Sequence, residues 1–134
     1  MKKEITPHIL IIDDEVPYLH AMQRVFRSRY DVFTAANLTV ARMLFQEYID
    51  TIAILLVDLH IGRESGLSFL EEIRATKRNE IRFILMTGSV SPEIDEDTLQ
   101  ASGIDGLLRK PFENEEVITL VENLLQKKEC ARSI

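Results

Sequence analysis

Three aspartates, a threonine and a lysine stand where short apolar runs of this sequence end, and these residue types suit chemistry on phosphate. In chain order they are Asp13, Asp14, Asp58, Thr87 and Lys110. A charged group at the end of a buried run is costly unless it is paired or used. Carboxylates that lie close together need a cation between them, and Mg²⁺ prefers oxygen ligands of this kind. With a hydroxyl and an ammonium beside them, the set suits cation binding and phosphoryl transfer.

The apolar runs alternate with helical stripes five times along the chain, which predicts βα units on a parallel sheet. The predicted strands are 8–13, 30–35, 52–58, 82–87 and 106–109. The predicted helices are 15–28, 37–48, one capped by Ser65, one opened by Ser91, and 113–127. We interpret Val40 as facing the core from the second helix, and Met22, Met43 and Met86 as core side chains.

The fold class that follows is α/β, a single doubly wound (βα)5 domain with a flavodoxin-like sheet in the order 2-1-3-4-5. The domain is assigned to residues 1–128, and residues 129–134 to a C-terminal tail. This order has its topological switch point between strands one and three, so Asp13, Asp14 and Asp58 would face each other across one crevice. Gly88 would offer a backbone N–H there without a side chain to obstruct approach.

Composition narrows the class of protein. The 134 residues are 46% hydrophobic with a net charge of −6, typical of a globular domain that does not bind nucleic acid directly. The single cysteine, Cys130, cannot form an internal disulfide, which favours a reducing cytoplasm. No secretory leader is indicated, and no apolar run approaches the ~20 residues that span a membrane.

Around the strand ends the sequence closely resembles the receiver domain of two-component response regulators, over roughly residues 8–126. The matching pieces are 11–15, 56–58 with Gly66 downstream, 86–88, and 101–106 leading into 110–112. Each piece alone is weak, but their joint order and spacing are specific to that family.

The resemblance implies a role for each site residue. Asp58 would accept a phosphoryl group from a phosphohistidine of a sensor histidine kinase or a phosphotransfer protein in a phosphorelay. Asp14 and Asp58 would bind Mg²⁺, or alternatively Mn²⁺, directly. Asp13 would act largely through water, and the backbone carbonyl of His60 would complete the ligands. Thr87 and Lys110 would hold the phosphoryl oxygens, and Lys110–Pro111 would be a cis peptide.

The resemblance also implies a signalling domain that assists only its own phosphorylation and dephosphorylation and is not otherwise an enzyme. Phosphorylation would switch the face formed by predicted helix four, strand five and helix five. That face would bind an unknown downstream protein or output domain, or a second copy in a homodimer.

Two positions depart from the family pattern. Leu107 stands where receivers usually carry the aromatic switch residue that moves with Thr87. Gly62 stands four residues after Asp58, where proline is common, and we expect a looser loop there. His60 and Ser89, two residues after Asp58 and Thr87, would flank the attacking water and modulate the lifetime of the phosphoryl group.

Three alternative functions compete with this interpretation. A degenerate receiver would serve only as a protein-interaction module and would not be phosphorylated. Leu107, in place of the aromatic switch residue, leaves this alternative open for the signalling step. An aspartate-nucleophile phosphatase of the haloacid dehalogenase type is less favoured, since it wants a second aspartate where this chain has His60. A flavin or nucleotide carrier is disfavoured because the acidic 13–15 segment replaces a glycine-rich phosphate loop.

Overall fold

The computed structural model describes residues 7–76, 80–88, 97 and 101–132, with side chains to residue 126 in the last helix. The strands are β1 His8–Ile12, β2 Asp31–Ala35, β3 Ile52–Asp58, β4 His60–Ile61, β5 Glu64–Ser65, β6 Arg82–Thr87 and β7 Gly106–Arg109. The helices are α1 Val16–Phe26, α2 Leu38–Glu47, α3 Gly66–Ala75 and a C-terminal helix, Asn114–Arg132. The predicted helix opened by Ser91 lies largely outside the described residues.

Five parallel strands form the main sheet in the order β2-β1-β3-β6-β7. Since β6 and β7 are the fourth and fifth predicted strands, the predicted order 2-1-3-4-5 and the flavodoxin-like fold are confirmed. A second, two-stranded sheet pairs β4 with β5 in antiparallel fashion. This short hairpin follows Asp58 directly and was not predicted.

The sheet has a helical layer on each face, because alternate side chains of a strand point to opposite sides. Leu55 and Val57 of β3 pack with α2 and α3, whereas Ile54 and Leu56 pack with α1 and the C-terminal helix. Every residue of β3 is buried. Burying each of its isoleucine, leucine and valine side chains stabilises the fold by about 1.5–3 kcal/mol. The central strand that ends in Asp58 is therefore held from both faces.

Helix ends follow the predicted chemistry at two positions. The side chain of Asn37 accepts a hydrogen bond from the backbone N–H of Val40 at 2.9 Å, and that of Ser65 from Leu67 at 3.1 Å. The C-terminal helix continues to Arg132, so residues 129–132, assigned to a tail, are helical. Residues 126–132 contain no glycine or proline to end a helix. Of the helices in the described part, none is long and apolar enough to cross a membrane.

Two core assignments in α2 were wrong. Met43 is 65% exposed and Val40 is 39% exposed. The buried face of α2 follows Leu38, Ala41 and Phe45, at spacings of three and four residues. Met43 lies two positions past Ala41, which turns it away from that face. Met22 and Met86 are buried as expected.

Candidate functional site

The carboxyl ends of β1, β3, β6 and β7 meet at one edge of the sheet and bring the predicted site residues together. Asp13 is fully buried, and Asp58 and Thr87 are 6% and 3% exposed. Asp14 follows β1 and is exposed. In open parallel sheets this edge is where ligands bind.

The acids converge closely. One carboxylate oxygen each from Asp13, Asp14 and Asp58 lies within 4.8 Å of the other two. The ammonium of Lys110 lies between the two buried acids, 2.5 Å from Asp13 Oδ2 and 3.1 Å from Asp58 Oδ2. The cluster thus holds three carboxylates beside one ammonium, so its net charge is negative when the three acids are ionised.

Several contacts hold Lys110 in place. Its backbone N–H donates to the carbonyl of Thr87 at 2.8 Å, which extends the β6–β7 pairing by one residue. Its Nζ lies 4.1 Å from the ring centroid of Tyr18 on α1, a distance typical of a cation–π contact. The carboxylate of Glu15 approaches the same Nζ at 3.4 Å. The Lys110–Pro111 peptide bond is cis, as the family resemblance implies.

The strand that leads into Lys110, β7, is itself anchored by Asp105. This residue exchanges hydrogen bonds with Phe83 of β6, since its N–H donates to the Phe83 carbonyl and its carboxylate accepts from the Phe83 N–H, both at 2.8 Å. Arg74 at the end of α3 donates to the Asp105 carboxylate at 3.0 Å and to the Gly103 carbonyl at 2.8 Å. These bonds fix the start of β7 against β6.

The backbone of Asp58 is packed tightly against the start of α3. A Cβ on Gly66 would lie 2.3 Å from the carbonyl oxygen of Asp58, so no larger residue fits there without displacement. The N–H of Gly66 donates to the carbonyl of Leu59 at 2.7 Å, and the N–H of Leu59 donates to Met86 at 2.8 Å. The main chain around Asp58 is thereby fixed on two sides.

The segment after Asp58 is not the loose loop expected from Gly62. His60 pairs with Ser65, and Ile61 with Glu64, in the β4–β5 hairpin. Gly62 adopts a φ of +62° at the turn, and its N–H donates to Asp14 Oδ2 at 3.0 Å. Glycine reaches this conformation without strain, whereas proline could neither adopt it nor donate the bond.

The surroundings of the site raise the pKa of two of its residues. Burial raises the pKa of Asp13, and the charge of Asp58 adds to this. The hydrogen bonds from Lys110 and from the Glu15 N–H act in the opposite direction. For Lys110, burial alone would lower the pKa, but hydrogen bonds and charges from Asp13 and Asp58 outweigh it and raise the pKa above 10.5. The ammonium is therefore firmly protonated at neutral pH.

Lys110 should give the protein an alkaline pH dependence of stability. Because its pKa is raised above 10.5 on folding, the folded protein holds a proton at alkaline pH that the unfolded chain releases. The stabilisation is complete below 10.5 and is lost as the pH rises through the folded pKa. Urea unfolding between about pH 9 and about pH 11.5 should show a falling free energy of unfolding, with a shallower fall in Lys110→Met.

Tyr30 provides the control for that measurement. Its pKa is raised by burial and by the charge of Glu122, so it contributes a fall of the same sign. Tyr30→Phe separates this contribution, and the double variant should lose both. Equal slopes for the wild type and Lys110→Met would contradict the assignment to Lys110.

The other predicted site residues differ in how close they lie to the acids or to Lys110. A Cβ on Gly88 would lie 3.8 Å from Lys110 Cδ, so Gly88 borders that side chain. His60 is exposed, and its N–H lies 3.5 Å from Asp58 Oδ1. Leu107 is half-buried and packs on the α2–α3 side of the core. Ser89 lies outside the described residues.

Three residues contact the site without having been predicted as site residues from the sequence. Glu15 and Tyr18 contact the Lys110 ammonium, and Gly62 binds Asp14. The acidic run 13–15 could have indicated Glu15. Nothing in the local sequence around Tyr18, in the first turn of α1, indicates this contact, because Lys110 is far away along the chain.

The donor set fits a divalent cation. Carboxylate oxygens within 4.8 Å of one another are the hard ligands that Mg²⁺ and Mn²⁺ take. Burial of two of the three acids leaves negative charge that one lysine does not neutralise. A cation here would relieve the like-charge repulsion.

Comparison with known proteins agrees with this geometry. A protein-family model for the response regulator receiver domain matches residues 9–122. The hydrogenase transcriptional regulatory protein HoxA of Bradyrhizobium diazoefficiens is 31% identical over 118 residues, which cover 88% of this chain and 24% of that protein. The aerobic respiration control protein ArcA of Escherichia coli K12 is 28% identical over 123 residues, covering 91% of this chain and 50% of ArcA.

Solved structures show the same architecture. The crystal structure of a response regulator receiver domain protein from Clostridium thermocellum superposes with a TM-score of 0.84 at 24% identity, covering 93% of this chain and 98% of that one. At that identity the likeness concerns the fold. The chain spans about a quarter of HoxA and half of ArcA.

Proposed function

This chain belongs to the response regulator receiver domains of two-component systems, and we propose that Asp58 is its phosphoacceptor. The donor would be a phosphohistidine on a sensor histidine kinase or a phosphotransfer protein. The observation that carries the proposal is the position of Asp58, buried at the end of β3, 3.1 Å from the Lys110 ammonium and beside Asp13 and Asp14. Such a domain signals and is not a true enzyme.

The proposed step is a phosphoryl transfer between two nucleophiles. A carboxylate oxygen of Asp58 forms a bond to phosphorus while the bond from phosphorus to the imidazole nitrogen breaks, and the electron pair returns to that nitrogen. Lys110, the Thr87 hydroxyl and the Gly88 N–H bind the transferred oxygens. Transfer of this kind depends on positioning and charge neutralisation, which these groups supply.

Asp13, Asp14 and Asp58, with the backbone carbonyl of His60, would hold Mg²⁺ or Mn²⁺. The bound cation would neutralise charge on the carboxylates and on the phosphoryl oxygens. Lys110, which bonds both Asp13 and Asp58, would supply a further fixed positive charge beside the phosphoacceptor. Water attack on the aspartyl phosphate would reverse the modification, with His60 and Ser89 beside the water.

The output surface is proposed to lie on β7 and the C-terminal helix, together with the predicted helix opened by Ser91. An open groove of about 500 Å³ lies there, lined by Leu107, Leu108, Glu115, Glu116, Thr119, Leu120 and Asn123. A downstream protein, an output domain or a second copy would bind on this side. Leu107 replaces the aromatic switch residue, so the movement of Thr87 would be read through an aliphatic side chain.

The site is proposed to act in the cytoplasm, in keeping with the single cysteine. The expectation of no direct nucleic-acid contact is restricted to this domain, because HoxA and ArcA are named as a transcriptional regulatory protein and a respiration control protein. Any action on transcription would follow from phosphorylation of Asp58.

Incubation with acetyl phosphate tests the proposal. With Mg²⁺ present, intact-mass measurement should show the addition of one phosphoryl group that is stable in acid and labile in base. Removal of the cation with a chelator should abolish the addition. No addition in the presence of Mg²⁺ would favour the degenerate interaction module, and steady turnover of an added phosphomonoester would favour the phosphatase.

A further inference from the structure

The hairpin that follows Asp58 has a feature that the proline-containing form of this loop lacks. Gly62, four residues after Asp58, carries a backbone N–H, which proline would lack, and has a φ of +62°. Space around it is open, since a Cβ there would meet no atom within 4 Å. Crowding therefore does not require glycine at this position, whereas the conformation favours it.

The Gly62 N–H points at a proposed cation ligand. It donates to Asp14 Oδ2 at 3.0 Å, across 48 residues of sequence. Asp14 is the exposed member of the three acids, so packing alone does not fix its side chain. A hydrogen bond to an ionised carboxylate is stronger than one between neutral groups, and it leaves lone pairs on both oxygens for a cation.

The hairpin is held firmly enough to position that N–H. Ile61 is 3% exposed and belongs to the core layer below α2 and α3. Arg42 of α2 bonds the Glu64 carboxylate at 3.2 Å and both carboxylate oxygens of Glu72 on α3, at 2.8 Å and 3.1 Å. Bidentate arginine pairs in a network have defined geometry even on a surface. The turn is thus tied to the core and to two helices.

We propose that the Gly62 amide is a positioning group for the cation site, acting through Asp14. The inference rests on the proposed cation role of Asp14. Groups that hydrogen-bond a metal ligand commonly change metal affinity by about 10- to 100-fold when they are lost. We therefore expect loss of this N–H to weaken Mn²⁺ binding by about 10-fold.

Titration of unphosphorylated protein with Mn²⁺, followed by the EPR signal of the free ion, tests this without any activity measurement. Gly62→Pro removes the N–H and should bind Mn²⁺ about 10-fold more weakly. Gly62→Asn is the matched control, because asparagine tolerates positive φ and keeps the N–H, and it should bind within about 2-fold of the wild type. Thermal unfolding checks that each variant is folded.

Unchanged affinity in Gly62→Pro, or equal losses in both variants, would overturn the proposal. Amide NMR of Asp14→Ala gives a second test that does not depend on Gly62→Pro being folded. If Asp14 is the acceptor, the Gly62 amide proton should shift and exchange faster in that variant, and an unchanged signal would overturn the inference. A wild type that binds no Mn²⁺ would instead refute the cation site itself.

Discussion

Asp58→Asn is expected to abolish phosphorylation by acetyl phosphate while leaving the protein folded. Asparagine has nearly the same shape, but its neutral amide is not a nucleophile for phosphorus. It also removes one of the two buried carboxylates that bind the Lys110 ammonium, at 3.1 Å in the wild type, while the bond from Asp13 remains. Intact-mass spectra taken with Mg²⁺ should therefore show no added phosphoryl group.

Asp50→Asn is the matched control for this prediction, because it makes the same chemical change at an exposed aspartate. It should be phosphorylated as the wild type is. Phosphorylation of Asp58→Asn at the normal rate would mean that another residue accepts the group, and peptide mapping would then identify that residue.

Gly66→Ala is expected to lower the free energy of unfolding by about 3 kcal/mol, at the upper end of the usual cost of overpacking. The added Cβ would lie 2.3 Å from the Asp58 carbonyl oxygen and 3.1 Å from Val57 Cγ1. The nearest contact is with backbone, which cannot rotate away as the end of a side chain can. Either α3 or the end of β3 must move, and Asp58 moves with β3.

Urea unfolding monitored by circular dichroism measures the loss, and Mg²⁺-dependent phosphorylation should slow in the same variant. Gly88→Ala is the control for stability, since its Cβ would first meet Lys110 Cδ at an ordinary 3.8 Å. That variant should unfold within about 1 kcal/mol of the wild type. Equal stability of Gly66→Ala and the wild type would show that the start of α3 adapts to the added methyl.

The strands were predictable because each combines a continuous apolar run with a polar end. The run 52–57 is apolar at every position, which predicts a strand buried on both faces, and β3 is such a strand. The right-handed crossover rule limited the possible topologies, and the compact doubly wound order 2-1-3-4-5 was the one expected among them. Asn37 and Ser65 marked helix starts because their side chains satisfy free N–H groups.

The cluster of Asp13, Asp14 and Asp58 was predictable from the strands, because parallel strands bring their carboxyl ends to one edge of the sheet. The residues that surround this cluster were not predictable. Tyr18 of α1 lies on the same side of the sheet as the C-terminal helix that follows Lys110, and no local pattern in the sequence predicts a contact between segments so far apart along the chain. The lack of a side chain at Gly62 predicted a flexible loop. In the structure its N–H instead donates to Asp14, and this bond orders the turn.

Met43 illustrates a different limit. Hydrophobicity predicts burial on average, but the angular position on α2 decides it for each residue. Leu38, Ala41 and Phe45 already fill the strip that faces the sheet. Single apolar side chains on a surface are common and carry little energetic cost.

The ion pairs of Lys110 also bear on synthesis of the protein. This lysine is separated from Asp13 by 97 residues and from Asp58 by 52. A growing chain therefore presents both acids long before the ribosome has made their counter-ion. Burying them at that stage would leave both acids without their lysine partner, so we expect complete closure of the central strands to follow the arrival of the last edge strand. The proposed phosphorylation of Asp58 would then require that the whole sheet has assembled.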